Sequence, residues 1–160
     1  MVNLNSSWDF WYHSTNDTDW SINSYKKIAT ISTIEQFWSV FDLFTATHIQ
    51  NGMFFIMREG ILPIWEDTQN KTGGCWSFKI IKKDVFNAWN ELAITLLGET
   101  ITKNANQNME INGISISPKK SFCIIKIWNK NSNNNNSKII SKKIPYLYIC
   151  DSIYKSHIKT

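Results

Sequence analysis

Regular alternation between apolar and polar residues recurs along this chain, and a period of two is the pattern of strands with one buried face. Residues 76–82 alternate most clearly, and residues 111–117 repeat the pattern with serines on one face. Other short apolar or aromatic segments are also predicted as strands. They are residues 7–13, 25–30, 53–57 and 122–128, and a last apolar stretch covers residues 144–153. These patterns together predict roughly seven or eight strands.

Two segments instead have the spacing of amphipathic helices. Residues 33–36 are close to a capping box, and apolar side chains follow at helical intervals as far as Phe44. A second helix is predicted to begin at Asp84 and to end at Gly98. Because helices do not alternate regularly with strands, we expect an α+β fold, a curved antiparallel sheet with helices on one face. At this length, residues 1–160 are expected to form one domain.

Composition disfavours several classes of function. The three cysteines lack C-x-x-C spacing and the three histidines are scattered, so we predict reduced thiols and neither a metal nor another cofactor. Without a signal-peptide-like segment or an apolar run of about 18 residues, we expect a cytoplasmic location rather than secretion or membrane insertion. The net charge of +4 comes from 16 lysines and a single arginine against 13 acids. This balance suits a polyanionic ligand better than base readout in a duplex groove.

Tryptophan is the residue that most suggests a binding function. The chain has eight tryptophans, more than its core needs, and this side chain is favoured where a flat apolar face meets a polar partner. Trp65 directly precedes Glu66, shortly before a glycine pair at residues 73–74. An indole face beside a carboxylate suits a planar, cationic, hydrogen-bond-donating ligand such as N7-methylguanine, the head of an mRNA cap. Taken alone, such a pair is more often a half-buried core aromatic next to a solvated charge.

The order of these residues resembles that of the translation initiation factor 4E family of cap-binding proteins. The most specific motif is Pro-x-Trp-Glu-Asp at residues 63–67 followed by Gly-Gly-x-Trp at residues 73–76, and the similarity covers about residues 7–128 well. The other matching segments are Trp8-x-x-Trp11-Tyr12, Trp20, Ile34-Glu35-Gln36-Phe37-Trp38, Trp89-Asn90-Glu91-Leu92, Leu97-Gly98-Glu99 and the strand ending at Trp128. The resemblance implies a sheet of about eight strands with two to three helices on its convex face. Abundant Lys, Asn and Ile favour a virus or protist with an AT-rich genome as the source.

The resemblance also implies a cap slot on the concave side of the sheet. Trp20 and Trp65 correspond to the two rings that sandwich the methylated base, and Glu66 corresponds to the acid that pairs with N1 and N2. The backbone N–H of Trp65 would face O6, and Trp128 would lie against the N7 methyl group. Stacking contributes about 1–3 kcal/mol per base, and the cationic ring adds about 0.5–2 kcal/mol. Discrimination against unmethylated guanine should come mainly from the cationic contribution.

The phosphate side departs from the family pattern. The family holds the triphosphate with basic residues on the two strands that approach Trp128, but Ile124 and Cys75 replace residues that are basic in many members. Lys119 matches the family's arginine in an ungapped alignment, and strand alternation places Lys126 on the same face as Trp128. The expected phosphate contacts are Lys119, Lys120 and Lys126.

On the convex face, members of this family receive a Tyr-x-x-x-x-Leu-φ helix from a scaffold initiation factor or from an inhibitory protein that mimics it. The matching contact residues are Ile34, Trp38, Glu91 and Gly98. Asn90 replaces an apolar residue, so we expect a partner with a somewhat altered motif. Trp38 could instead be a core aromatic of its helix. We therefore expect a monomer that binds capped mRNA and such a helix, and that does not bind membranes.

Four functions are compatible with these residues. The first is a cap-binding subunit that promotes translation initiation, and the second is a repressor that binds caps without recruiting the scaffold. The third is a hydrolase using Glu66 and Asp67, but neighbours on an extended chain point to opposite sides, so we do not expect an enzyme. The fourth is a generic single-strand binder, which would bind methylated and unmethylated caps equally and with steep salt dependence.

Overall fold

A computed structural model describes residues 1–158, in which seven strands form one antiparallel sheet in the order β2-β1-β3-β5-β6-β4-β7. The strands are β1 (Asn3–His13), β2 (Tyr25–Thr33), β3 (Met53–Arg58), β4 (Gly74–Ile81), β5 (Ile111–Pro118), β6 (Phe122–Asn129) and β7 (Ile153–Ser156). The α-helices are α1 (Ile34–Phe41), α2 (Ala46–Asn51), α3 (Lys82–Leu97) and α4 (Ala105–Asn108). Strands β2 and β7 are the two edges of the sheet.

The predicted fold class, α+β with a single curved antiparallel sheet, is confirmed. Within residues 1–158 the sheet has seven strands rather than about eight, and there are four α-helices rather than two to three. Helices α2 and α4 contain 6 and 4 residues, too few for a periodic apolar pattern to reveal them. No helix in this described part is long and apolar enough to cross a membrane. Residues 159 and 160 of the predicted domain lie outside the described part.

Side chains on each strand alternate between the two faces of the sheet, as strand geometry requires. On β6, Ile125 and Ile127 belong to the main core, whereas Lys126 and Trp128 line a cavity on the opposite side. We call the side covered by α1 and α3 the helix face and the opposite side the open face. The main core on the helix face includes Trp8, Phe10, Ile56, Trp76, Trp89, Leu92 and Ile114. A smaller apolar cluster on the open face contains Trp11, Phe55, Met57, Ile61, Cys75 and Trp128.

Helix α1 begins where the sequence predicts. The Thr33 hydroxyl accepts a hydrogen bond from the Gln36 backbone N–H, and the Gln36 side chain accepts one from the Thr33 backbone N–H, both at 3.1 Å. This reciprocal cap satisfies two amide groups that the first turn of a helix leaves without partners. The cap fixes which side chains of α1 enter the core. Phe37 and Phe41 are buried, whereas Trp38 projects from the helix face.

The single arginine joins three separated parts of the chain. Both terminal nitrogens of Arg58 donate to the Glu99 carboxylate, at 2.6 and 2.9 Å, and the guanidinium lies 4.5 Å from the Trp8 ring centre. The guanidinium also donates to the Ile111 carbonyl at 2.7 Å and to the Asn108 carbonyl at 3.0 Å. A planar donor fork is needed to reach these acceptors together, which the ammonium group of a lysine cannot do.

We therefore expect Arg58→Lys to lower the free energy of unfolding by about 2–3 kcal/mol, because several charge-assisted hydrogen bonds are lost in a largely buried setting. Urea unfolding followed by circular dichroism measures this change. Lys142→Ala, at an exposed position, is the control and should change stability by less than about 0.5 kcal/mol. Equal unfolding midpoints for Arg58→Lys and the wild type would contradict the prediction.

Candidate functional site

Three of the eight tryptophans are not packed into a core. Trp20, Trp38 and Trp65 have 52%, 47% and 43% of their surface exposed, whereas the other five are buried. Exposing so much of a large apolar ring is unfavourable unless a ligand or partner covers it. Trp20 and Trp65 line one cavity on the open face, and Trp38 lines another on the helix face.

The open-face cavity has a volume of about 530 Å³ and is built from the sheet, two loops and β7. Its floor comes from alternating residues of the central strands: Phe55, Cys75, Ser77, Ser115, Ser117, Lys126 and Trp128. The loop between β1 and β2 supplies Trp20, and the loop between β3 and β4 supplies Pro63, Ile64, Trp65 and Glu66. Besides these two loops, residues on or just after β7 contribute to the wall: Lys155, Ser156 and His157. Two indoles from distant parts of the sequence and one acid therefore meet at a single cavity.

The loop that carries Trp65 is held by two polar side chains. The Asp67 carboxylate accepts hydrogen bonds from the backbone N–H groups of Leu62 and Gln69, at 2.9 and 2.8 Å. The Asn70 side-chain amide, which is fully buried, donates to the carbonyls of Leu62 and Ile64, both at 2.9 Å. Asp67 therefore shapes the loop while its neighbour Glu66 lines the cavity. The two acids do not form a converging pair.

The glycine pair explains how β7 reaches the cavity. A side chain on Gly73 would collide with the backbone of Asn129, and one on Gly74 would collide with the Lys155 carbonyl. Two residues without side chains are therefore needed for the neighbouring backbones to approach β4 this closely. The approach brings His157 to the loop of Asn70, whose backbone carbonyl accepts a hydrogen bond from His157 Nδ1 at 2.8 Å.

Trp128 forms a fixed part of the floor. Its indole N–H donates to the Ser115 hydroxyl at 3.0 Å, and its ring meets Phe55 and His157 edge-on, with ring centres 6.4 and 5.3 Å apart. The ring is buried, so only a small part of its surface is available to a ligand. This arrangement offers an apolar surface deep in the cavity.

Burial shifts the pKa of several titratable groups of the cavity towards the uncharged form. Burial raises the pKa of Tyr25 to about 12, and the nearby charge of Glu66 acts in the same direction. Burial lowers the pKa of His157 below its ordinary value of 6.5, although the hydrogen bond to the Asn70 carbonyl opposes this shift. Burial also raises the pKa of Cys75 to about 12. Cys75 lies 3.5 Å from His157 Nε2, but a thiol that stays protonated is not an activated nucleophile.

The second cavity lies between α1 and α3 on the helix face and has a volume of about 290 Å³. Its lining is almost entirely apolar: Leu4, Ile34, Phe37, Trp38, Ile94, Leu97 and Gly98. Trp38 stands at its rim, where the indole is half exposed and its ring meets that of Phe37 edge-on. The exposure shows that Trp38 is not a core aromatic of its helix, which was the alternative interpretation of its position.

The match to a known family extends over nearly all of the chain. The model of the family described as eukaryotic initiation factor 4E matches residues 3–158. The chain belongs to this family. Eukaryotic translation initiation factor 4E of Candida albicans is 29% identical over an alignment of 150 residues that covers 88% of this chain and 70% of that protein. Eukaryotic translation initiation factor 4E-1 of Schizosaccharomyces pombe is 32% identical over an alignment of 136 residues that covers 79% of this chain and 60% of that protein.

Solved structures of initiation factor 4E proteins have the same fold. Schistosome eIF4E, crystallised with m7GpppG and 4E-BP, is 26% identical, has a TM-score of 0.75, and is matched over 83% of this chain and 74% of that one. Ascaris suum eIF4E-3, crystallised with an m7G cap, is 22% identical, has a TM-score of 0.76, and is matched over 99% and 93% of the two chains. At its lower identity the second similarity supports the fold alone.

Of the site residues predicted from the resemblance to the initiation factor 4E family, the structure brings five together at the open-face cavity. These are Trp20, Trp65, Glu66, Trp128 and Lys126. Lys119 and Lys120 are exposed in the turn between β5 and β6 and are not among the residues that line the cavity. At the helix-face cavity, Ile34, Trp38 and Gly98 are lining residues. Glu91 is exposed on α3 outside that lining.

The cavity wall also contains residues near the end of the chain that the sequence did not predict: Lys155, Ser156 and His157. They lie on or just after β7, whose partner in the sheet is β4, about eighty positions earlier. The last apolar stretch in the sequence ends at residue 153, where β7 begins, so its pattern gave no reason to place a strand there. Residues 154–157 are Tyr-Lys-Ser-His and show no clear alternation of apolar and polar side chains, so no local signal was available.

Proposed function

We propose that the open-face cavity binds the 7-methylguanosine cap of mRNA, with the base held between Trp20 and Trp65. The observation that carries this proposal is that two half-exposed indoles from separate loops line the same cavity as Glu66. Stacking contributes about 1–3 kcal/mol per base, and the positive charge of the methylated ring adds about 0.5–2 kcal/mol. The crystal structure of the similar schistosome protein in complex with m7GpppG supports the same ligand.

Glu66 gives the proposed site its preference for guanine. Its carboxylate accepts hydrogen bonds from N1 and N2, and the positive ring makes these bonds charge-assisted. Trp128 lies on the cavity floor, where it contacts the N7 methyl group. Unmethylated guanine keeps the donors but lacks the positive charge, so its complex loses the cationic part of the stacking energy.

Fluorescence titration with a methylated cap analogue and its unmethylated counterpart tests the proposal directly. We expect strong quenching of tryptophan emission and about 2- to 30-fold tighter binding of the methylated analogue, which corresponds to the cationic contribution of about 0.5–2 kcal/mol. Equal affinities with a steep salt dependence would instead support a generic single-strand binder. Recovery of the capped dinucleotide unchanged after incubation excludes the hydrolase alternative, and its cleavage would contradict a purely binding role.

Replacing Glu66 by glutamine keeps the size of the side chain and removes its charge. We expect affinity for the methylated analogue to fall about 10- to 100-fold, since a charge-assisted pair of hydrogen bonds contributes about 1.5–3 kcal/mol. Isothermal titration calorimetry measures the loss. Glu59→Gln, an exposed acid in the turn before the same loop, is the matched control and should bind like the wild type. Wild-type affinity in Glu66→Gln would contradict the assigned hydrogen bonds.

In this proposal the phosphate chain of the cap lies towards the two lysines that line the cavity, Lys126 on its floor and Lys155 on its wall. Strand register places Lys126 opposite Ser77 on β4 and Lys155 opposite Cys75. Residues directly opposite each other share one face of a sheet, so both lysines lie beside the position where the family often has a basic residue and this chain has Cys75. Lys119 and Lys120 lie farther along, in the turn, where they reach only an extended phosphate chain.

We expect Lys126→Ala and Lys155→Ala each to weaken binding of a triphosphate cap analogue about 3- to 20-fold, because one charge-assisted contact is lost. Lys119→Ala and Lys120→Ala are the matched comparisons and should have smaller effects. Titration with 7-methylguanosine lacking phosphates is the second control, since none of these variants should alter its affinity. If Lys119→Ala or Lys120→Ala loses more affinity than the two variants of cavity-lining lysines, the phosphates take a different path.

The helix-face cavity is proposed to bind an amphipathic helix with a Tyr-x-x-x-x-Leu-φ-like motif, from a scaffold initiation factor or an inhibitory protein. An apolar groove with a half-exposed indole at its rim suits the helix-in-groove mode of recognition. The similar schistosome factor was crystallised with 4E-BP, which supports a protein partner of this kind. With a partner at this groove and a cap on the opposite face, the protein acts as a cytoplasmic monomer that recruits mRNA for translation initiation. A repressor would bind the cap without such a partner.

A further inference from the structure

His13 lies directly behind Trp20, which lines the open-face cavity. It is the last residue of β1, a strand paired on both sides, and its backbone is opposite Tyr25 on β2 and Met53 on β3. The imidazole is fully buried and shares the open face with Trp11, two residues earlier on the strand. Its position is therefore set by the sheet rather than by the loop that carries Trp20.

The imidazole covers one face of the Trp20 indole. The two ring centres are 4.2 Å apart and their planes differ by only 8°, which is a parallel stack. Trp20 is 52% exposed, so the face away from His13 is open to the cavity. A half-exposed indole on a loop would otherwise exchange between rotamers, and fixing it on binding would reduce affinity.

The same imidazole also fixes the loop on both sides of Trp20. His13 Nε2 lies 2.8 Å from the Asp19 carbonyl and 3.0 Å from the Ser24 hydroxyl. A carbonyl can only accept, so Nε2 must carry the hydrogen. The Ser24 hydroxyl donates its own hydrogen to the Ser21 carbonyl at 2.7 Å, which leaves it free to accept from Nε2.

The other ring nitrogen of His13 makes no comparable bond. Nδ1 is buried and has no hydrogen-bond partner among residues 1–158. The orientation of the imidazole therefore depends on the two bonds that Nε2 makes to the Trp20 loop. Two further contacts keep that loop compact, since the Asp19 carboxylate accepts from the Ser21 N–H at 2.8 Å and the Ser24 N–H donates to the Ser21 carbonyl at 3.0 Å.

From this geometry we infer that His13 is a positioning residue that holds Trp20 in the orientation needed to stack on the cap, an inference that rests on the proposed function. The imidazole acts in two ways: its face stacks on the indole, and its Nε2–H group secures the loop before and after it. The half of the slot formed by Trp20 is therefore ordered before the ligand arrives, and the ordering cost is met during folding rather than during binding.

Two substitutions of similar size separate stacking from simple space filling. His13→Phe keeps a flat ring behind Trp20 and loses the hydrogen bonds, whereas His13→Leu fills the space with neither. We expect His13→Leu to weaken binding of the methylated cap analogue about 3- to 10-fold, and His13→Phe to recover most of that loss. Ser24→Ala removes the hydrogen bond from His13 Nε2 and the one to the Ser21 carbonyl without changing the strand, and should have a small effect in the same direction.

A readout without ligand tests the inference independently. In protein labelled with 5-fluorotryptophan, the fluorine resonance of Trp20 is assigned by its absence from Trp20→Phe. His13→Leu should shift that resonance towards the value of a solvated indole, while the Trp65 and Trp38 resonances and the thermal midpoint stay close to wild type. His13→Phe should leave the Trp20 resonance near a stacked position.

The outcomes separate failure of this inference from failure of the proposed function. A wild-type protein without preference for the methylated analogue would overturn cap binding, while the Trp20 resonance would still report on the role of His13. An unchanged Trp20 resonance together with unchanged affinity in His13→Leu would overturn the inference. If His13→Leu does not fold, the same comparison is made with Ser24→Ala, for which an unmoved Trp20 resonance counts against it.

Discussion

Replacing Trp65 with alanine is expected to reduce affinity for a methylated cap analogue by about 100-fold or more. The variant loses one of the two stacking faces and the attraction between its indole and the positive ring, together about 3 kcal/mol at the middle of their usual ranges. Trp65 is half exposed, so its removal leaves the buried core intact. Isothermal titration calorimetry is the suitable measurement, because the substitution also removes part of the fluorescence signal.

Trp38→Ala is the matched control for this experiment. It removes another half-exposed indole, but from the helix face, so cap affinity should equal that of the wild type. Unfolding midpoints of both variants exclude a general loss of structure as the cause. Affinity within about threefold of the wild type in Trp65→Ala would mean that the base does not stack on this ring.

The second large effect is expected at the helix face. Trp38→Ala should weaken binding of a helical peptide containing the Tyr-x-x-x-x-Leu-φ motif by about 30-fold or more, since interface hot spots cost at least about 2 kcal/mol when truncated. Trp38 is suited to this role because its exposed ring stands beside an apolar groove lined by Ile94 and Leu97 of α3. Calorimetric titration of the peptide into wild type and variant measures the loss.

In the peptide titration the two tryptophan variants exchange roles. Trp65→Ala should bind the peptide like the wild type, because the sheet and its core separate the two cavities. Equal peptide affinities for Trp38→Ala and the wild type would contradict the assigned surface. A wild-type protein that binds the cap but no such peptide would favour the repressor over the recruiting subunit.

Features set by neighbouring residues could be predicted from the sequence. The capping box at Thr33 and Gln36 gave the start of α1, and period-two alternation placed Lys126 on the face of Trp128. These signals are local, because a helix cap spans one turn and alternation follows from the geometry of a single strand. The adjacency of Trp65 and Glu66 in the sequence likewise indicates a ligand-binding pair.

Features that depend on distant pairing could not be obtained from local patterns. Trp20 and Trp65 lie in different loops, and they meet at one cavity only because β1 to β4 are part of the same sheet. The expectation that they meet came from the family resemblance. Lys155 and His157 were missed because β7 pairs with a strand far back in the chain. The stack of His13 on Trp20 arises across a loop whose residues show no periodic pattern.

The pairing of β7 has a consequence for how the protein responds to its ligand. This four-residue strand is bonded to the sheet on one side only, yet it and the residue after it contribute three side chains to the cavity wall. A short edge strand can detach by local unfolding at a small fraction of the global cost. By linkage, a ligand that needs those side chains must draw β7 back onto the sheet, so amide hydrogen exchange in β7 should slow when the cavity is filled.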